Sequence, residues 1–151
     1  MTAEEMWRES GLRGTYQAWA FGGAPDKLAE LVRKGVKTAT CSAAVLYEQE
    51  IEELPKAGER SVILDSAGHA VCVIQTTRVY VTPFDRVSRR HAFLEGEGDR
   101  SLAYWRRVHK EFFTEELKTI HREFHEKMSL VCEEFEVIYP QPSGKEKNED
   151  R

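Results

Sequence analysis

Ser61-Val62-Ile63-Leu64-Asp65-Ser66-Ala67-Gly68-His69 is the stretch in which the periodicity of this chain becomes that of a pleated strand. An apolar run enters a polar, glycine-bearing turn, and beyond it Val71, Val73, Val79 and Val81 alternate with their neighbours. Alternation bounded by turn residues predicts a β-hairpin over residues 61–81. Leu130 to Tyr139 alternates too, which predicts a last strand that must pair back into the same sheet. Between them, Val87 to Leu94 reads as a short helix and Glu95-Gly96-Glu97-Gly98-Asp99 as a loop. A long helix is expected from Arg100 or Ser101, because Leu102, Trp105, Val108 and Phe112 recur at helical spacing. Thr114-Glu115-Glu116 is expected to cap a second helix.

Upstream of the hairpin the signals are helical. Thr2 and Glu5 form a capping-box pattern, and Tyr16 to Phe21 suits a short strand running into Gly22-Gly23. Pro25-Asp26 starts a helix with an apolar stripe of Leu28, Leu31 and Val32, closed by Gly35 in the left-handed region. Ser42 to Ile51 is read as a further helix, stopped before Pro55. Strictly alternating βαβ units are absent, which argues against a doubly wound parallel sheet. The fold class expected is α+β, a mixed and mostly antiparallel sheet or small barrel with flanking helices. It should form one domain over residues 1–140, with 141–151 as a disordered tail.

Composition narrows the function. The 151 residues are 40% hydrophobic and 32% charged, as in globular proteins. No run of eighteen apolar residues suggests a membrane span, and the acidic N-terminus lacks the positive charge of a signal peptide, so a cytoplasmic location is expected. Cys41, Cys72 and Cys132 are odd in number and widely spaced, which argues against a disulfide framework or thiolate metal site. A net charge of −4 disfavours indiscriminate nucleic-acid binding, and no DNA partner is expected. Three basic groups stand out locally: Arg33, Lys34 and Lys37; Arg86, Arg89, Arg90 and His91; and Arg100, Arg106, Arg107 and Lys110. They are solvated faces unless they converge into a basic rim around one pocket.

Gly35-Val36-Lys37-Thr38-Ala39-Thr40 offers an amine and a hydroxyl three residues apart. These face one space only if the chain turns or starts a helix there, since an extended strand would put them on opposite faces. Otherwise they are a surface lysine and an N-cap threonine. Together, the G-x-K-x-x-T pattern of Gly35, Lys37 and Thr40 and the downstream run from His91 through Glu95-Gly96-Glu97-Gly98-Asp99 to Trp105 and His109 resemble the ASCH domain family, in its longer bacterial branch. The similarity runs from about Tyr16 to Tyr139, and it implies a PUA-like pseudo-barrel with a nucleic-acid-related pocket beside it.

In a smaller relative the matching residues hydrolyse the amide of N(4)-acetylcytidine. Carried over, Lys37 is the base, Thr40 the nucleophile and Glu95 the proton donor; another relative is a ribonuclease, and a non-catalytic RNA-binding module is a further alternative. The implied partner is a small nucleoside or nucleotide, with RNA as a second candidate, and no metal or cofactor is called for. The chemistry makes demands. Threonine needs an adjacent base. A lysine titrating at ~10.4 must be depressed by several units to be neutral at pH 7, and Glu95 must be protonated. Backbone N–H groups around Thr40 and Cys41, at a helix start, would hold the oxyanion.

Substrate contacts are expected from Tyr16, Trp19, Cys41, Ser42, Arg90, Glu97 and Arg100. For Tyr16 and Trp19 base stacking competes with core packing, and for Cys41 a nucleophilic role competes with packing. Many relatives continue the motif as T-x-R, whereas here Thr40 is followed by Cys41-Ser42. His109 lies on the stripe of Trp105 and Phe112 and reads as a core histidine. His121 and His125 have i, i+4 spacing without a third ligand or the zincin order.

Overall fold

A computed structural model describes residues 1–141, so the tail expected beyond that point lies almost wholly outside the described residues. The hairpin forms as read: β3 (Arg60–Leu64) and β4 (Ala70–Pro83) pair antiparallel around a turn in which the Asp65 carboxylate accepts the N–H groups of Ala67 and His69. The last strand, β5 (Ser129–Tyr139), pairs antiparallel along β4. The short β1 (Gln17–Trp19) adds parallel to β3, and β2 (Ala39–Ala43) adds antiparallel to β5. The strand order is β1-β3-β4-β5-β2, a curled, mostly antiparallel half-barrel whose two edge strands flank its open side.

Alternation lets both faces of the sheet be buried. Ile63, Cys72, Ile74 and Phe135 pack in the curl against Phe21 and against Leu28, Ala29 and Val32 of α2 (Pro25–Arg33). Val62 and Val73 meet Met6 of α1 (Ala3–Ser10), which starts on the capping box of Thr2 and Glu5. Ala43, Leu130 and Cys132 meet α4 (Arg89–Glu95) and α5 (Leu102–Lys118) through Ala92, Trp105 and Phe113. Two of the three cysteines are thus small core residues.

Two expectations are corrected. The helix after the motif is only α3 (Ala44–Glu50), because Ala39–Ala43 are drawn into an edge strand by pairing with β5. Thr114 caps nothing; its hydroxyl donates to the Lys110 carbonyl at 2.6 Å inside one continuous seventeen-residue helix. That helix ends at Lys118, so His121 and His125 share no helical face, and His125 Nδ1 accepts the Lys127 N–H instead.

Candidate active site

Lys37 leaves α2 through the left-handed Gly35 and precedes β2 in an extended segment. Its side chain is only 1% exposed, with Nζ 5.3 Å from the centre of the Phe21 ring. A buried ammonium needs compensation, and α4 supplies it. Nζ donates to Glu95 Oε1 at 3.0 Å, Glu97 Oε2 at 3.3 Å and the Glu95 carbonyl at 3.4 Å. The close approach requires glycine at 96: it ends α4 at φ 75°, and a Cβ there would meet the Val36 oxygen at 2.6 Å.

Glu95 is the hub. Its Oε2 accepts from Trp105 Nε1 and lies beside His91 Nε2, each at 2.8 Å, while His109 Nε2 stands 3.5 Å from Oε1. One tautomer satisfies His91, with Nε2–H on Glu95 and Nδ1 accepting from the Tyr80 hydroxyl at 3.2 Å. His109 Nδ1 is 2.9 Å from the Trp105 carbonyl, and its ring stacks on Trp105. Lys37, His91 and Trp105 at 2.8–3.0 Å, with His109 just beyond, favour the ionised carboxylate.

The charges follow from this geometry. Burial alone would raise the Glu95 carboxyl, but the Lys37 charge and the His109 and His91 hydrogen bonds hold it well below the usual carboxylate range. Burial would likewise lower Lys37, yet Glu95 and Glu97 more than offset this and hold its pKa above that of a free lysine. Burial also opposes protonation of His109, and Glu95 reverses that effect. The neutral lysine and protonated glutamate required of Lys37 and Glu95 are therefore the reverse of the resting charges. Arg33 and Lys34 are both engaged by Glu30.

Thr40 is placed differently. As the second residue of β2 it stands directly opposite Glu133 of β5, so the two side chains share a face, with Cβ atoms about 5 Å apart. Both line a cavity of about 740 Å3 at the open side of the half-barrel, with Trp19, Phe21, Ser42, Tyr47 and Phe112 among its walls. Tyr47 shares a 2.8 Å hydrogen bond with Ser42. Burial raises the Glu133 carboxyl to about 7; a 3.4 Å hydrogen bond from the Thr76 hydroxyl opposes this shift and nearby Glu59 adds to it.

Lys37 and Glu95 do not line the cavity; Phe21 and Cys41, which do, connect it to the charged network. Cys41 Sγ, a His91 nitrogen and a Glu95 oxygen lie within 4.8 Å of one another. Burial and then the Glu95 charge push the Cys41 thiol well up, the opposite of an activated thiolate. The expected oxyanion donors at a helix start are instead part of a strand. Metal-ligating atoms of Glu95, Glu97 and His109 also gather within 4.8 Å, but the Lys37 ammonium already takes up both carboxylates.

The remaining expected contacts separate. Trp19, Cys41 and Ser42 line the Thr40 cavity, Glu97 holds Lys37, and Arg90 and Arg100 line a second cavity. Tyr16 lines neither; its ring stacks on Trp7 at 4.6 Å, the core-packing alternative. Sequence reading missed Glu133 as a site residue and placed His91 among surface cations. The i, i+4 spacing of His91 and Glu95 on one helix was the available signal for the latter.

The fold is shared with known proteins at the level of the family. The family model of the ASCH domain matches residues 17–139, and the chain belongs to that family. A solved ASCH domain from Lactobacillus crispatus JV V101 is 31% identical, with a TM-score of 0.83 over 90% of this chain and 93% of that one. A solved protein from Enterococcus faecalis V583 is 37% identical, also at 0.83, covering 95% of this chain and 91% of its own. The half-barrel is accordingly a PUA-like fold. No curated protein matches the chain.

Proposed function

We propose that this protein hydrolyses an amide on a modified pyrimidine nucleoside or nucleotide, of the kind in which an acyl group is carried on the exocyclic nitrogen of cytosine. The observation that carries this reading is the pairing of Thr40 with Glu133 on the wall of an aromatic-lined cavity. A hydroxyl nucleophile needs a neighbouring base whose pKa matches the working pH, and a carboxyl titrating at about 7 meets that requirement.

In the reaction, Thr40 Oγ1 attacks the acyl carbon as its proton passes to Glu133. The C–N bond breaks and the departing amine takes that proton, leaving an acyl-threonine ester. A water molecule, deprotonated by Glu133, then attacks the ester carbon; the C–O bond to Thr40 breaks, Oγ1 takes the proton from Glu133, and the free acid leaves. Trp19 and Phe112 offer aromatic surface for the base. Lys37 and Glu95, locked as an ion pair, act as positioning residues in this scheme. They fix the approach to β2 and thus the register that sets Thr40 against Glu133. Replacing Thr40 with alanine and measuring release of cytidine from an acylated cytidine tests the assignment.

A further inference from the structure

Two residues from each of the second and third basic groups of the sequence converge. Arg89 and Arg90 from the start of α4 meet Arg100, just before α5, and Arg106, in its second turn, around an open cavity of about 660 Å3 also lined by Phe93, Ser101, Leu102 and Ala103. None of these residues lines the Thr40 cavity.

The charges there are largely uncompensated. Only Arg90 is paired with a carboxylate, through two hydrogen bonds to Glu134. Arg89 and Arg106 are exposed and have no ion-pair partner among the described residues. Arg100 is held in place by neutral groups: its Nε donates to the Phe93 carbonyl at 3.0 Å and its Nη2 to the Val36 carbonyl at 3.3 Å. Its guanidinium lies 3.7 Å over the centre of the Phe93 ring, and its backbone takes φ 64°. A non-glycine residue in that region needs support from its surroundings. This one is held by neutral groups at the cavity wall, with no carboxylate partner among the described residues. In a chain of net charge −4, Arg89, Arg100 and Arg106, none with an ion-pair partner among the described residues, form a local field of the opposite sign.

We infer that this arginine cavity is a binding site for a phosphate group presented by a nucleotide or a nucleic-acid strand. Planar guanidinium groups match phosphate oxygens with paired N–H donors. The volume exceeds what an inorganic anion fills, and Phe93, 52% exposed, offers an aromatic edge for an attached base. The start of α5 adds little, because Asp99 already accepts the Ser101 N–H. The inference is independent of the hydrolase reading, since it concerns binding at residues that reading does not use.

The test is equilibrium binding of three probes, cytidine, cytidine 5′-monophosphate and a fluorescent eight-nucleotide RNA, to the full chain and to Arg89→Ala/Arg106→Ala. Both positions are exposed, so folding should be preserved and is checked by thermal midpoint. The double variant should bind the phosphate-bearing probes at least tenfold more weakly, with cytidine unchanged. Equal affinity for monophosphate and RNA identifies a nucleotide site. Tighter RNA binding, with a logarithmic salt slope that falls by about two in the double variant, identifies a strand site. Unchanged binding of both phosphate probes by the double variant, or no binding of either by the unaltered protein, overturns the inference.

Discussion

Lys37 Nζ lies 3.0 Å from Glu95 Oε1, joining the approach to β2 to the last residue of α4 across 58 positions of sequence. Each charge is the other's nearest partner, and removing one leaves the other buried with its main compensation gone. Lys37→Ala should therefore destabilise the protein by about 3–5 kcal/mol. Lys37→Met combined with Glu95→Gln should cost less than the sum of the two single changes. Urea unfolding of the four proteins, with the interaction energy taken from the cycle, checks this. Additive single effects would show that the ions are not coupled.

The same pair sets an acid limit. Glu95 titrates well below its ordinary 4.5 in the folded state, so folding releases protons as pH falls toward and below that value. Its stabilisation is present above about 4.5 and is lost as the pH drops through the folded pKa. Stability followed between pH 6 and pH 2 should fall steeply, and Glu95→Gln should flatten that dependence while lowering stability at neutral pH.

Glu133 acts in the opposite sense. Its pKa rises from 4.5 to about 7 on folding, so the folded chain binds the extra proton between those values. Stability from this group is greatest below 4.5 and falls as the pH climbs to about 7. Glu133→Gln should remove that slope. In activity, kcat/KM should rise with an apparent pKa near 7, and Glu133→Gln should reduce it about 10²- to 10⁴-fold and abolish that limb of the profile. A wild-type profile in Glu133→Gln would remove Glu133 from the chemistry.

Gly96→Ala tests the contact that lets α4 reach Lys37. The position is left-handed and a Cβ would collide with the Val36 carbonyl, so a loss of at least about 1–3 kcal/mol is expected, an order-of-magnitude figure for forced backbone strain. Alanine at Gly68, also left-handed but with no atom within 4 Å of where a Cβ would stand, should cost less. Thermal midpoints of the two variants give the comparison.

Much of the fold was legible because its signals are local. The capping box of Thr2 and Glu5, the Pro25–Gly35 helix and the hairpin at Asp65–Gly68 each declare themselves within ten or so residues. β2 did not, since Ala39–Ala43 carry little strand propensity and become a strand only through β5. Lys37 and Thr40 stood out as an amine and a hydroxyl three residues apart, and the family motif assigned their roles and added Glu95. Their charge states were not legible, because the donors that hold Glu95 ionised come from Trp105 and His109 on another helix. Glu133 sits in a run of two glutamates, and only the register against Thr40 tells which one faces the cavity.

The most direct measurement is release of cytidine and acetate from N(4)-acetylcytidine, followed chromatographically with the unaltered protein and with Thr40→Ala at equal folded concentration. Turnover by the former, and none above background by the latter with cytidine binding retained, is the expected result. Turnover at the same rate in Thr40→Ala, or none in the unaltered protein, would contradict the assignment of the Thr40 cavity as the catalytic site.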